Sequence, residues 1–355
     1  MIYAFLLLSV LLLAFLALGY WISSLLLYAR RQPLTRTPED YDLTYEDVAF
    51  RSKDGLALKG WWIPTGRASQ LAGREPIVLL LHPMFGNRLG FHPQPQAWSR
   101  LLKTEVDLLK MARCFHQAGY SVLLFDFRSH GESQRGMCAG GLTEDQDVVG
   151  AIDYVFNRLA AQAPSETPQV GLVGFGLGAA AAISAIGREK GGVEIIRIFS
   201  GDSEGAMGWT EIQPANVKKL RFLIAVETAS LGVLLRGYLS QVFPPLSPVL
   251  TPLVDRLCQW RGGYPLGGAF LLKVVREVNV PVLYVQAHPQ EPFGWANAFD
   301  AGEVLRLFDA TPGLKQIWRV EAPLGRLETY AYVGEHLERV LAFAAQNVEC
   351  RSVGG

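Results

Sequence analysis

The sequence predicts an α/β protein, with a mostly parallel central sheet covered by helices on both faces and one transmembrane helix in front of it. Three observations carry this prediction. An opening hairpin signal is followed by short apolar runs that alternate with helical stretches to the end of the chain. The runs PIVLLLH (76–82) and SVLLFDF (121–127) are apolar almost throughout instead of alternating, as strands buried on both faces must be. From Ile2 to Tyr28 there is no charged residue.

That first stretch is long enough to cross a hydrocarbon core, which takes about 20 apolar residues in a helix. It lacks the basic n-region and short apolar core of a cleaved signal peptide. Residues 1–29 are therefore expected to be an uncleaved anchor, with 2–28 in contact with lipid. Tyr20 and Trp21 are types that suit a membrane interface. Arg30, Arg31 and Arg36 follow the span, and only the α-amino group precedes it, so the positive-inside bias places the rest of the chain in the cytoplasm. The predicted location is the cell membrane, single-pass.

Residues 30–44 are polar and carry two prolines, which predicts a linker. A folded domain then spans 45–349. YEDVAFRS and LALKGWWIP flank Asp54-Gly55, a hairpin turn. A helix is expected from Trp98 to Ala118, and another from Glu144 to Ala161 with Val148, Ile152, Val155 and Leu159 on one face. QVGLVGF, an alanine-rich helix from Leu177, EIIRIFS, PVLYVQA, QIWRVEA and a last helix from Glu335 to Gln346 complete the alternation. Residues 204–276 break it with two apolar patches, PPLSP and RGGYPLGG, and are expected to form a helical insertion over one end of the sheet.

Composition excludes several functions. Thirty-three basic and 33 acidic residues cancel, so nothing favours a nucleic acid partner. Cys114, Cys138, Cys258 and Cys350 are scattered without metal-ligand or redox spacing. His288 is a lone loop histidine. No metal or cofactor is expected. A mean hydropathy of +0.18 is high for a wholly soluble chain and agrees with an anchor.

The ordered landmarks resemble the α/β-hydrolase superfamily, most of all its bacterial membrane-anchored branch related to serine peptidases and esterases. VAFRSKDGLALKGWWIP is similar to the opening hairpin, LLHPMFGNR to the strand and HG-x-x-GN loop, and AGYSVLLFDFRSHGES to the D-x-R-G-H-G-x-S stretch. The matching residues run from about Tyr45 to Ala345. The resemblance implies the fold, and implies activity only where the catalytic positions survive.

Acyl transfer on this fold needs a serine on a tight strand-to-helix turn, a histidine to take its proton and a carboxylate to orient the histidine. Here the G-x-S-x-G turn reads GFGLG, with Gly176 at the serine position. The family's P-V-L-x-x-H-G-x-x-D pattern puts Gln290 at the acid, beside Glu291. Its G-H-x-x-x-Y pattern puts Arg326, or Gly325 with a one-residue gap, at the histidine. His336 is the nearest histidine in sequence and is expected to cap a helix or face solvent. Of the oxyanion-hole donors, the Leu177 N–H should persist; Pro83 has none to give, while Met84 has one. The bland readings are that His82 braces its loop, that Asp126, Arg128 and His130 hold the next one, and that Trp61 and Trp62 pack.

The expected function is a degenerate, non-catalytic hydrolase-fold protein that binds a hydrophobic ligand or a protein partner. Two alternatives remain. One is an active esterase or peptidase with relocated residues, for which Ser200, Asp202 and Ser203 are candidates. The other is a dinucleotide site, since GFGLGA also matches G-x-G-x-x-A through Gly174, Gly176 and Ala179, which requires open space at that turn.

Overall fold

The structure is a computed structural model that describes residues 2–65, 76–93, 104–162, 168–188, 216–264, 266, 269–287, 302–322 and 324–349. The opening hairpin forms as expected: β1 (Glu46–Arg51) pairs antiparallel with β2 (Ala57–Ile63). Short strands β4 (Gly90–Phe91) and β5 (Val106–Asp107) pair apart from the main sheet. That sheet continues through β3 (Pro76–Leu81), β6 (Ser121–Phe125), β7 (Gln169–Phe175), β8 (Leu220–Val226), β9 (Val282–Ala287) and β10 (Lys315–Val320) in the order β1-β2-β6-β3-β7-β8-β9-β10. From β6 to β10 every pairing is parallel. The predicted α/β sheet is the one observed.

Helices cover both faces because alternate residues of the central strands point opposite ways. Ile77, Leu79, Leu81, Leu123 and Phe125 face one core with α3 (Asp145–Gln162) and α4 (Leu177–Gly187). On α3 the predicted stripe of Val148, Ile152, Val155 and Leu159 is buried. Val78, Leu80, Val122, Leu124 and Phe175 face the other core with α2 (Leu108–Gln117), α9 (Arg326–Glu335) and α10 (Glu338–Glu349).

A third cluster lies beyond the sheet. It joins α1 (Ile2–Leu27) to α5 (Leu231–Val242) and α6 (Ser247–Gly262) through Ile22, Leu26, Leu235, Leu239, Leu250 and Val254. Among the described residues, α1 is the one helix long and apolar enough to cross a membrane. Its buried positions, Gly19, Ile22, Ser23, Leu26 and Leu27, form one stripe of its C-terminal turns. There the Arg261 guanidinium donates to the hydroxyls of Ser23 (2.6 Å) and Ser24 (2.8 Å), and the Cys138 N–H donates to the Leu27 carbonyl (2.8 Å). Two small helices, α7 (Ala269–Val274) and α8 (Gly302–Ala310), complete the α-helices among the described residues.

Four expectations change. The segment 204–276 is not helical throughout: residues 204–215 lie outside the described residues, Leu220–Val226 forms β8 between β7 and β9, and α5 follows from Leu231. LRFLIAV is as apolar as its neighbours, so it fills a buried parallel strand, whereas EIIRIFS lies outside the described residues. Of the helix expected from Trp98 to Ala118, residues 98–103 lie outside the described residues, and the described part is helical from Leu108, because Asp107 ends β5 and caps the helix by accepting from the Lys110 N–H (3.0 Å). The closing helix expected from Glu335 begins at Glu338 as α10, and a separate helix, α9, precedes it and ends at Glu335. The linker 30–44 is docked: Leu43 is buried, Pro38–Tyr41 forms a 3-10 turn, and the Asn87 amide donates to the Gln32 carbonyl (3.2 Å).

Candidate functional site

Gly176 joins β7 to α4 with φ 52° and ψ −99°, a tight turn in a backbone region that L-residues rarely adopt. Its N–H donates to the Val226 carbonyl at the end of β8 (3.0 Å). The flanking glycines are required by close approach. A Cβ on Gly174 would stand 2.5 Å from the Ala179 nitrogen, and one on Gly178 would overlap the Leu81 carbonyl. The GFGLG turn thus keeps the shape of a nucleophile elbow without the nucleophile.

The space a side chain at Gly176 would enter is filled. An ideal Cβ there overlaps the Tyr330 hydroxyl, with the Tyr330 Cζ at 3.3 Å and the Arg326 Nη1 at 3.6 Å. Arg326 and Tyr330 are four residues apart on α9, so they share a helix face. Tyr330 is buried, edge-on to Phe175 with ring centroids 5.6 Å apart, and hydrogen-bonded to Arg326. Burial drives its phenol well above the usual range, and Arg326 only partly offsets this.

The charge opposite Arg326 is Glu227, the residue directly after β8. Glu227 is buried in a left-handed conformation (φ 46°), and its carboxylate accepts from the Ala287 N–H (2.6 Å) beside the Thr329 hydroxyl. Burial raises its pKa, while Arg326 and the Ala287 N–H work against that rise. Gly176, Glu227, Arg326 and Tyr330 therefore form a packed cluster of carboxylate, guanidinium and phenol. A guanidinium does not act as a base in water, so Arg326 cannot take a proton from an attacking hydroxyl as a histidine at that position would.

The other sequence-predicted positions behave as follows. Pro83 opens a turn closed by the Gly86 N–H on the Pro83 carbonyl (3.1 Å), with Phe85 at φ 62°. Met84 is half-buried and touches both the α3/α4 core and the α1/α5/α6 cluster. Leu177 is buried as the first residue of α4. His82 Nδ1–H donates to the Pro83 carbonyl (2.8 Å), and its Nε2 accepts from the Phe127 N–H (3.0 Å), so both ring nitrogens are occupied. Burial, with His130 beside it, holds His82 well below the ordinary histidine pKa. Asp126 accepts from the N–H groups of Arg88 (2.7 Å) and Glu132 (2.9 Å), and Arg128 pairs with Asp147 (2.7 Å) and Asp54 (2.8 Å). His336 is exposed and stacks on Tyr332 with ring centroids 3.9 Å apart. Trp61 and Trp62 are buried in β2.

Gln290, Glu291, His288, Ser200, Asp202 and Ser203 lie outside the described residues. Among the described residues, no group of three His, Cys, Asp or Glu is arranged to hold a metal ion.

Sequence reasoning passed over Tyr330 and Glu227. Tyr330 stood in view as the last letter of the G-x-x-x-x-Y match from Gly325. Glu227 has no signal in the sequence pattern, because EIIRIFS reads equally well as the strand after the elbow and points to Asp202, whereas the acid in the cluster is the one that ends LRFLIAVE.

Leaving out the small β4/β5 pair, the strands run 1-2-4-3-5-6-7-8 across the sheet, with the glycine turn after the fifth. This is the α/β-hydrolase fold, and solved structures agree. An esterase, Pf2001 of Pyrococcus furiosus, matches with TM-score 0.60 and 18% identity over 90% of this chain and 99% of its own. An α/β hydrolase, GrgF of Penicillium, matches with TM-score 0.51 and 16% identity over 86% and 99%. An acylaminoacyl peptidase of Pyrococcus horikoshii matches with TM-score 0.52 and 13% identity over 86% and 42%. No family model matches the sequence. Curated relatives are the uncharacterized protein YfhR of Salmonella typhimurium and that of Salmonella typhi, each 28% identical over 144 residues. The match spans 40% of this chain and 40% of each relative.

Proposed function

We propose that this chain is a membrane-anchored, non-catalytic member of the α/β-hydrolase fold, whose remodelled site supports binding of a hydrophobic ligand or a protein partner. The observation that carries this reading is the Tyr330 hydroxyl, seated where the first side-chain atom of a nucleophile would stand. A site that had lost only its serine would keep an empty place for one. This site has a phenol and a guanidinium in that place, with the Glu227 carboxylate interacting with the guanidinium. The same filling speaks against a dinucleotide, because a pyrophosphate over Gly176 would have to displace Tyr330 and Arg326.

In this reading α1 crosses the bilayer and the domain lies on the cytoplasmic side, by the excess of Arg30, Arg31 and Arg36 after the span. The test is turnover of short- and long-chain p-nitrophenyl esters and peptide p-nitroanilides by the full chain in detergent. The expected result is a rate no higher than that of heat-denatured protein. Turnover that survives repurification and is lost on a single serine substitution would establish an active hydrolase with a relocated nucleophile.

A further inference from the structure

The α5–α6 corner carries an apolar surface that the site described above does not use. From Gly237 to Val254 there is no charged residue. At the corner Pro244, Pro245, Leu246, Pro248 and Val249 are all exposed, and Val249 shows 60% of its surface. Solvent-facing helix ends are ordinarily polar, and a contiguous apolar tip of this kind marks a contact.

The occupant follows from the packing of α1 on α6. Gly19 meets Leu253 and Leu257, Tyr20 and Ser23 meet Arg261, and Leu27 lies against Gly262. Both sequences rise together, so the helices run parallel, and the first turns of α6 descend beside α1 toward its exposed apolar half. Leu246 and Val249 precede Leu253 by one to two turns. At 1.5 Å per residue they stand about 6–10 Å further along α1 toward its N-terminus. The level where α1 leaves lipid is marked by exposed aromatic side chains, Tyr20 and Trp21 on α1 and Trp260 on α6, with Arg261 reaching between the helices there. The exposed part of α1 below this level, Ile2–Leu18, measures about 26 Å, close to the roughly 30 Å of a hydrocarbon core.

We infer that the α5–α6 corner, tipped by Leu246 and Val249, enters the bilayer beside α1 and forms a second contact with lipid acyl chains. This rests on the reading of α1 as a membrane span. The contact fixes the domain's orientation, because two insertion points restrict rotation about the α1 axis. The charge-free corner is what makes burial in hydrocarbon tolerable, since a single charged side chain at depth costs several kcal/mol.

The experiment places an environment-sensitive NBD fluorophore on single cysteines in the full chain, with Cys114 and Cys350 replaced by serine. The protein is reconstituted in phosphatidylcholine–phosphatidylglycerol vesicles. Val249→Cys reports the corner, Leu12→Cys the anchor, and Leu314→Cys an exposed position on the sheet domain; all three native side chains are exposed, so labelling leaves the cores intact. The expected result is that the labels at 249 and 12 are quenched by nitroxide-bearing acyl chains and resist aqueous iodide severalfold better than the label at 314. Lipid quenching at 12 with iodide quenching at 249 equal to that at 314 overturns the inference and leaves the anchor standing. Iodide quenching at all three positions overturns the anchor and the inference together.

Discussion

Gly176 and Tyr330 depend on each other: the missing side chain of one makes room for the hydroxyl of the other. Gly176→Ala should cost about 2–4 kcal/mol, from a backbone conformation that disfavours a Cβ and from overpacking against the phenol. In a Tyr330→Phe background the same change should cost at least about 1 kcal/mol less, since the overlapping oxygen is gone. Denaturant unfolding of the four proteins measures this coupling; additive effects would contradict it. His130 offers a second residue-scale prediction. It is fully buried, burial lowers its pKa from the ordinary 6.5, and its Nδ1–H is spent on the Arg128 carbonyl (2.8 Å). A histidine held neutral in the fold contributes stability above its unfolded pKa, and that stability is lost as pH falls below about 6.5. His130→Asn keeps a donor for Arg128 and removes the titration. The native protein should therefore lose stability relative to the variant below pH 6.5, by up to about 1.4 kcal/mol per pH unit. A pH-independent difference would count against it. At this scale the sequence names the positions that depart from the family's pattern, because a letter missing from a motif is visible without coordinates. It did not show what had replaced them, because Tyr330, Glu227 and Gly176 meet only through folding.

Elements were legible where composition leaves one solution. β3, β6, β7 and β9 read directly as buried strands, and α3 as a helix with one apolar face. β8 did not, because LRFLIAV sits amid other apolar runs and a short apolar run does not by itself distinguish strand from buried helix. Its place in the sheet has a measurable consequence. Phe222 is fully buried and lies over Gly171, which has no side chain to obstruct the ring. Phe222→Ala should cost about 3–5 kcal/mol, as for a core aromatic, whereas a residue of a surface insertion would cost within about 0.5 kcal/mol. The docking of α1 on α6 is equally specific. A Cβ on Gly19 would stand 2.8 Å from a Leu253 methyl, so Gly19→Leu should part the two helices at that level. The expected readout is faster tryptic cleavage after Arg30 or Arg31 with the rest of the domain intact; an unchanged cleavage rate would show that the contact does not hold the junction.

Across the whole molecule, the scaffold motifs match the family's pattern while Gly176 and Arg326 depart from it, and the structure explains how both can stand together. The elbow, the hairpin and the Asp126–Arg128 loop are held by backbone packing and buried ion pairs that do not depend on catalysis. The fold therefore does not depend on which residues stand at the elbow and at the end of the last strand. The membrane reading comes from one charge-free helix, and the structure adds that its last turns belong to the folded domain's own core. The central claim is that no activated serine remains. Fluorophosphonate labelling of the full chain, followed by peptide mapping and set beside a Gly176→Ser, Tyr330→Phe variant, tests it most directly. The account predicts no labelled serine in the native protein, and none in the variant, whose new hydroxyl would face Arg326 where an active site has its histidine. Near-stoichiometric labelling of any native serine would contradict it and would identify the relocated nucleophile.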